Sequence, residues 1–293
     1  MDGSGARPRD DRVLAPARWT AIGIIPVLVA AWAVLYLFPG RTEDLWAWTI
    51  RPDMTALVMG GGYLSGAYLF ARVAREREWH RVAVAFVATT VFTTVLLAAT
   101  VLHWDRFNHG HVSFWAWLGL YIVTPLLLPW LWGVNRRTDP GVPGDGDVEI
   151  PRRLRTLVAM GGSLQLGVAA LMFLVPEQAA DAWPWALTPL TARTISAFVA
   201  FPAVSWLCFA WESRWSSFRI PLQTATLGLV IVGLGALRAT DDFDGPAASR
   251  VLFVVALLGS IGLLAWVQLA MDGRTRPAVA VPREPGDGPP AVG

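Results

Sequence analysis

The chain has 293 residues, of which 54% are hydrophobic and only 16% are charged. Soluble proteins carry about 25% charged residues. This composition therefore excludes an ordinary soluble enzyme or binding domain and predicts an integral membrane protein. The formal net charge is only +2, and the basic residues follow the topology pattern described below. The charge therefore gives no reason to expect a nucleic-acid partner.

Eight segments lack Asp, Glu, Lys and Arg altogether. Each is about 18 to 23 residues long, the length with which a helix crosses a hydrocarbon core about 30 Å thick. The predicted fold class is all-α, a polytopic membrane protein with eight transmembrane helices. The charge-free segments are 19–38, 54–71, 82–104, 112–134, 156–176, 194–211, 220–237 and 251–271.

The distribution of arginine predicts the orientation in the membrane. All 24 basic residues are arginines, and 18 of them lie on the side that holds both termini. Cytoplasmic loops are enriched in Lys and Arg, so both termini are predicted to be cytoplasmic. The absence of Lys is typical of a high-GC coding bias and favours a bacterial plasma membrane. Segments 75–78 and 211–215 on this side are interpreted as solvated turns.

One pattern of residues occurs twice, at a constant offset of 137 residues, and each copy lies between two long apolar segments. Each half of the chain contains four spans, so both halves enter the membrane in the same direction. The sequence therefore predicts a tandem parallel repeat of two four-helix units, related by a pseudo-twofold axis along the membrane normal. This pattern, the tryptophan motif, consists of Leu37, Pro39, Asp44, Trp46, Trp48 and Pro52, and of Leu174, Pro176, Asp181, Trp183, Trp185 and Pro189.

The domain organisation follows from the repeat and from two polar segments. The central linker is rich in Pro, Gly and Asp and is predicted to be a cytoplasmic loop. The C-terminal tail is rich in proline and is predicted to be disordered. The predicted units are a cytoplasmic arm (1–18), the first membrane repeat (19–135), the linker (136–153), the second membrane repeat (154–271) and the tail (272–293).

The acidic and aromatic residues of the tryptophan motif are candidate ligand-binding residues. Indole rings are common at membrane–water interfaces, so one interpretation is a short interfacial helix whose rings anchor the protein among lipid head groups. The alternative is an aromatic wall that faces a ligand. The candidates are Asp44, Trp46, Trp48, Asp181, Trp183 and Trp185.

Three of the four histidines lie in one loop between the third and fourth spans. Neutral imidazoles and a carboxylate are suitable ligands for zinc or another divalent ion. The candidate metal ligands are His103, Asp105, His109 and His111. The alternative is a polar loop without a metal, since no strict ligand motif is present.

The corresponding loop of the second half is acidic. If the two halves pack as the repeat predicts, its carboxylates face the histidine loop across the pseudo-twofold axis. They are further candidate ligand-binding residues, namely Asp241, Asp242 and Asp244. The predicted outer face is therefore the candidate binding region.

The charge-free spans limit the possible activities. Proton- and ion-coupled carriers usually keep charged side chains near the membrane midplane, and these spans contain no Asp, Glu, Arg or Lys. The sequence favours the binding or translocation of a small neutral solute through an outward-facing site. A non-catalytic partner subunit or scaffold is an alternative, and Gly62 and Gly66 are spaced either for dimerisation or for packing within the chain. A metal-dependent membrane enzyme is another, although no nucleophile elbow or phosphate loop is present, so catalytic residues are not assigned.

Overall fold

The computed structural model describes residues 10–144 and 147–273. In these residues eight helices are long and apolar enough to cross a membrane, and the only β-pairings are two isolated bridges. The predicted all-helical class with eight candidate spans is confirmed. The predicted N-terminal arm before residue 10 and the tail after residue 273 lie outside the described residues. The helices are α1 (Ala15–Trp32), α2 (Asp53–Arg75), α3 (His80–Leu102), α4 (Val112–Asn135), α5 (Arg152–Leu174), α6 (Pro189–Leu207), α7 (Ser216–Arg238) and α8 (Ala247–Asp272).

Several helices extend beyond the charge-free segments. Helix α2 begins at Asp53 and ends at Arg75, so an acid lies at its N-terminus and a base at its C-terminus, where each complements the helix dipole. Helix α5 begins at Arg152. Arginine can remain in a helix near the membrane surface because its long side chain brings the guanidinium group back to water. For these two helices, the charge-free segment is therefore shorter than the helix.

Four helices form the centre of the bundle and four lie outside them. Helix α3 packs against α6 and α7, and α2 packs against α7. On the outside, α1 packs on α2, α4 on α3, α5 on α6 and α8 on α7. The outer helix α8 is the least covered of the eight, with only 6% of its most apolar window buried. The bundle thus leaves one side of α8 open to its surroundings.

Glycines in α2 allow close helix packing within the chain. A side chain on Gly60 would lie 2.9 Å from the Cβ of Tyr36, and one on Gly62 would lie 2.2 Å from the Phe198 ring. Gly66 faces Leu28 of α1 at 3.4 Å. Both ends of the Gly62-x-x-x-Gly66 pair therefore contact other helices of the same chain, which favours packing within the chain over dimerisation.

The loops gather at two ends of the bundle. We call one the arginine-rich end (residues 10–14, 76–80, 135–139, 147–151 and 208–216) and the other the opposite end (residues 38–53, 103–111, 175–188 and 239–246). Both described chain termini belong to the arginine-rich end. There the Trp79 backbone N–H donates to the Asp11 carbonyl at 2.7 Å. The Trp215 indole N–H donates to the Asp272 carboxylate at 3.4 Å.

Candidate functional site

Three of the four tryptophans of the tryptophan motif are buried inside the protein. Trp46, Trp48 and Trp185 are 7%, 4% and 1% exposed, and Trp183 is half-buried. The ring of Trp48 packs edge-on against Trp117, with 5.0 Å between the ring centroids. The interpretation as interfacial anchors is therefore wrong for the three buried rings, because contacts within the protein cover them.

Hydrogen bonds hold both copies of the motif in place. In the first copy, the Thr42 hydroxyl accepts from the Ile50 backbone N–H at 2.9 Å and donates to the Ile50 carbonyl at 3.2 Å. In the second copy, the Trp185 indole N–H donates to the Thr55 hydroxyl at 3.0 Å. Thr55 belongs to α2, so this hydrogen bond connects the second copy of the motif to the first half of the chain.

Four of the five aspartates expected to bind a ligand are exposed at the opposite end: Asp44, Asp181, Asp241 and Asp244. The fifth, Asp242, accepts a hydrogen bond from the Met54 backbone N–H at 2.7 Å. This contact satisfies one of the free N–H groups at the start of α2. Asp242 therefore stabilises the start of α2. The ligand-binding role of all five aspartates stays a prediction.

The histidine loop uses His103 for a contact with the second half. Arg193 Nη1 donates to His103 Nε2 at 2.7 Å. Arginine has only donors, so this nitrogen carries its lone pair and the proton of the neutral ring is on Nδ1. Burial and the charge of Arg193 lower the pKa of His103. Nε2 is therefore occupied as an acceptor in this arrangement.

The remaining residues of that loop point to different neighbours. The His109 ring packs edge-on against Phe114, with 4.7 Å between ring centroids, and His111 Nδ1 lies 2.6 Å from the Ser113 hydroxyl. Asp105 forms an exposed ion pair with Arg106 at 3.6 Å. Within the described residues, the four candidate ligands do not supply three ligand atoms within 4.8 Å of one another. A metal at this loop stays a prediction.

A cavity of about 800 Å³ lies between the helices of the bundle. All eight helices contribute to its lining, which extends from Trp215 near the arginine-rich end to Trp183 at the opposite end. Leu154, Leu263 and Trp266 line it and are 45%, 59% and 65% exposed. These residues belong to α5 and α8, so the cavity opens sideways between the two outer helices of the second half.

The cavity is apolar, with a few hydrogen-bonding groups. The Tyr63 and Tyr121 hydroxyls, both buried, lie 2.8 Å from each other in its wall. Gln165 also lines it and donates to the Val199 carbonyl at 3.2 Å. The described lining contains hydroxyl, amide and indole groups but no Asp, Glu, Lys, Arg or His. Such a wall suits an uncharged molecule, because an unpaired charge there would lose its hydration.

A buried arginine holds the arginine-rich end together. The Arg214 side chain is 5% exposed and donates to Asp139 at 2.8 Å and to Glu212 at 2.6 Å. Burial alone would raise the pKa of Asp139, but hydrogen bonds from Arg214 and from the Gly141 N–H outweigh it and lower that pKa. The interpretation of segment 211–215 as a solvated turn is therefore wrong at Arg214.

The fourth histidine forms a second polar cluster at this end. His80 Nδ1 is hydrogen-bonded to Asp11, and His80 Nε2 lies 2.7 Å from the Ser216 hydroxyl. Ser216 in turn donates to Asp147 at 2.5 Å. The His80 Nε2 atom also lies 3.8 Å from Glu78 and 4.0 Å from Asp147. The His80, Asp11 and Asp147 side chains are mostly buried, whereas the Glu78 side chain is 44% exposed, so water reaches the cluster on the Glu78 side.

Sequence reasoning did not find the His80 cluster, because its members lie far apart along the chain. One available signal was the repeat itself. Trp79 and Trp215 share the 136-residue offset of Asp105 and Asp241, and the next positions are His80 and Ser216, which are in contact.

Comparison with protein-family models, with curated proteins and with solved structures found no match for this chain. The arguments for its function therefore depend on its own geometry.

Proposed function

We propose that this protein binds an uncharged, mostly apolar molecule in the cavity between its helices. The observation that carries the proposal is a cavity of about 800 Å³ whose described lining contains no charged residue. Ligand pockets commonly have volumes of about 300 to 1,000 Å³ and combine apolar walls with a few polar groups. This cavity has both properties.

The chemistry of the wall selects the ligand class. A charged molecule would have to give up its hydration without an opposite charge to replace it. The hydroxyls of Tyr63 and Tyr121, which bond to each other at 2.8 Å, retain lone pairs that can accept hydrogen bonds. A long-chain alcohol or another lipid with an uncharged polar group would place its chain against the apolar wall and its polar group near the hydroxyls.

The position of the opening supports entry from the bilayer. Leu263 and Trp266 of α8 are 59% and 65% exposed at the cavity mouth, on a helix that is apolar enough to span a membrane. Such a surface is suited to lipid contact. This proposal therefore replaces the outward-facing site expected from the sequence with a laterally open one.

A photoreactive ligand tests the proposal. The protein is placed in lipid nanodiscs with a hexadecanol that carries a diazirine group, and the labelled residues are mapped by mass spectrometry after illumination. We expect labelling to concentrate on cavity residues of α6 and α7, such as Phe198 and Leu229, and to fall several-fold when an excess of unlabelled hexadecanol is added.

Two glycines of α5 provide a matched pair of variants. Gly161 lines the cavity and Gly167 does not, while a Cβ atom at either position would meet no atom within 4 Å. Gly161→Leu should narrow the mouth and reduce cavity labelling, whereas Gly167→Leu should leave it unchanged. Labelling spread evenly over the exposed helix faces, and equal in both variants, would refute the proposal.

We also propose that the two halves are a tandem repeat, related by a pseudo-twofold axis. Matching helix contacts support this: α1 packs on α2 as α5 packs on α6, and α2 packs on α7 as α6 packs on α3. Arg18 donates to the Ala74 carbonyl at the end of α2, and Arg155 donates to the Phe209 carbonyl just after α6. These two arginines are 137 residues apart, the offset of the tryptophan motif.

The orientation and location are proposed from charge. With 18 of 24 arginines on the side of the termini, the positive-inside rule favours a bacterial plasma membrane protein with both termini in the cytoplasm. Reporter fusions test this. A fusion after Asp139 should report the cytoplasm and one after Gly110 the exterior, and the reverse pattern would overturn the proposed orientation.

A further inference from the structure

We propose that the His80 cluster binds one divalent transition-metal ion of the Zn²⁺ class at the arginine-rich end. The direct ligands are His80 Nε2 and the carboxylates of Glu78 and Asp147, while Asp11 orients the imidazole from its other nitrogen. This site lies at the end opposite to the histidine loop and is separate from the cavity.

The orientation of His80 is the one that metal-ligating histidines adopt. Such histidines almost always donate their second ring N–H to a carboxylate, a carbonyl or water, which fixes the tautomer and aims the free lone pair at the metal. His80 Nδ1 is bonded to Asp11, so Nε2 faces away from Asp11, towards Glu78 at 3.8 Å and Asp147 at 4.0 Å.

Both separations from His80 Nε2 are close to those of a small coordination sphere, and Asp11, Glu78 and His80 each offer a ligand atom within 4.8 Å of the others. With metal–ligand bonds of about 2.0 to 2.2 Å and tetrahedral angles, two ligand atoms of one zinc ion lie about 3.4 Å apart. Glu78 and Asp147 therefore need to approach His80 Nε2 by only about 0.5 Å. The Ser216 hydroxyl fills the gap at 2.7 Å from Nε2. It can leave by changing between staggered rotamers.

The charge of the cluster calls for a cation. Asp11, Glu78 and Asp147 supply three carboxylates, and Arg81, at 2.6 Å from Glu78, is the only arginine within ion-pair distance of them among the described residues. Three negative charges and one positive charge leave two negative charges when His80 is neutral. One divalent ion balances them.

The hydrogen bonds of the cluster also indicate that a cation is missing at His80 Nε2. With neutral His80, the Nδ1 proton goes to Asp11 and the single Ser216 proton goes to Asp147. No proton then remains for the 2.7 Å contact between Nε2 and the Ser216 oxygen, so two acceptors face each other. A second ring proton on Nε2 would remove this conflict, and so would a metal ion bound to Nε2 with Ser216 turned to another staggered rotamer; the Zn²⁺ titration distinguishes the two.

The ion would tie together segments that are distant in the sequence. Glu78 and His80 lie between α2 and α3, and Asp147 lies in the linker between the two halves. Because no preformed site is expected in the unfolded chain, binding free energy becomes stabilisation of the folded state. We therefore expect the metal to raise the unfolding temperature of the purified protein.

Metal content and titration test the site. The full-length protein is purified in detergent, stripped with a chelator and titrated with Zn²⁺, with Co²⁺ as a spectroscopic probe. We expect about one equivalent of tightly bound Zn²⁺ by elemental analysis, a visible Co²⁺ absorption band and a higher unfolding temperature in the presence of Zn²⁺.

Variants locate the ion. His80→Ala and Asp147→Asn should each abolish stoichiometric binding, and Asp11→Asn should weaken it by about 10- to 100-fold, as loss of an orienting partner does. His111→Ala at the opposite end is the matched control and should keep full binding. Asp11→Asn preserves the size of the side chain, so it remains informative if His80→Ala does not fold.

Three results would overturn the proposal. If the stripped wild-type protein takes up no Zn²⁺, the missing positive charge is a proton on His80 and not a metal ion. Full binding by folded His80→Ala and Asp147→Asn would exclude this cluster. Loss of binding in His111→Ala but not in Asp147→Asn would move the ion to the histidine loop.

Discussion

The two ends of the bundle are held together by different forces. At the arginine-rich end, charged side chains are buried and paired, as Arg214 is with Asp139 and Glu212. At the opposite end, the buried groups are aromatic rings, such as Trp48 and Trp185, and most of the charges lie on the surface. The stability of the arginine-rich end therefore depends on a specific partner for each buried charge. The stability of the opposite end depends on apolar packing.

This difference has a physical consequence for mutation. Removing one member of a buried ion pair leaves an uncompensated charge, which costs more than the pair itself contributes. Removing atoms from a buried ring costs the lost transfer free energy and the cavity left behind. The four predictions that follow test this contrast between the ends, from the largest expected effect to the smallest.

Arg214→Met should be the most damaging of these changes. It keeps most of the side-chain volume but removes the buried guanidinium group that pairs with Asp139 and Glu212, so we expect a loss of about 3 to 5 kcal/mol in the free energy of unfolding. Unfolding of the detergent-solubilised protein by sodium dodecyl sulfate, followed by circular dichroism, measures it.

Arg219→Met is the control for this prediction. Its side chain is 50% exposed and pairs with Asp272 at 3.0 Å, and exposed pairs contribute about 0 to 1 kcal/mol. Equal losses of unfolding free energy in the two variants would mean that burial does not make the Arg214 ion pairs more important for stability than the exposed Arg219 pair.

At the opposite end, Trp185→Phe should be more destabilising than Trp48→Phe. Both positions are buried and lose the same atoms, but only Trp185 has an indole N–H that donates to a side chain, Thr55 at 3.0 Å. The Trp48 indole N–H has no acceptor in the part of the chain that the structure describes.

The difference between these two variants should be about 1 to 3 kcal/mol, the cost of leaving a buried hydroxyl without its partner. The same denaturation measurement determines this difference. Trp104→Phe, at an exposed position, is the control and should change the unfolding free energy only slightly. A larger loss for Trp48→Phe would show that ring packing alone decides stability at this end.

Acid should weaken the arginine-rich end through Asp139. Its pKa is lowered in the folded protein, so its stabilisation is fully present above the ordinary value of about 3.9 and is lost as the pH falls through the folded pKa. We expect Asp139→Asn to be less stable than wild type at pH 7 and to lose less stability between pH 5 and pH 3. Parallel pH curves for both proteins would contradict this.

The smallest effect is expected from His103 at the opposite end. Its folded pKa is lowered, so the unfolded chain binds the proton more readily, and stability falls as the pH drops below the ordinary histidine value of about 6.5. His103→Gln should flatten the unfolding-temperature curve slightly between pH 7 and pH 5. A steeper curve in the variant would reverse the assigned direction.

Together, the last two predictions separate the ends by pH. The opposite end should respond to mild acid, while the Arg214 cluster should respond only at lower pH. Zn²⁺ bound to the His80 cluster would add a third difference, since only the arginine-rich end would then depend on a chelator.

The sequence alone determined the all-helical class and the eight long apolar helices. The physical reason is local, because the thickness of a bilayer sets the length of an apolar segment and the cost of a charge within it. The 137-residue offset was also visible from the sequence, since it requires only a comparison of the chain with itself.

Tertiary structure decided where the polar and aromatic groups lie. Apolar composition cannot tell a ring at the membrane interface from one inside the protein, so Trp46, Trp48 and Trp185 were expected at the interface and are buried. His80 lies beside Ser216, 136 residues away in the sequence, and the cavity is lined by all eight helices. These features depend on which helices pack together, and no single segment carries that information.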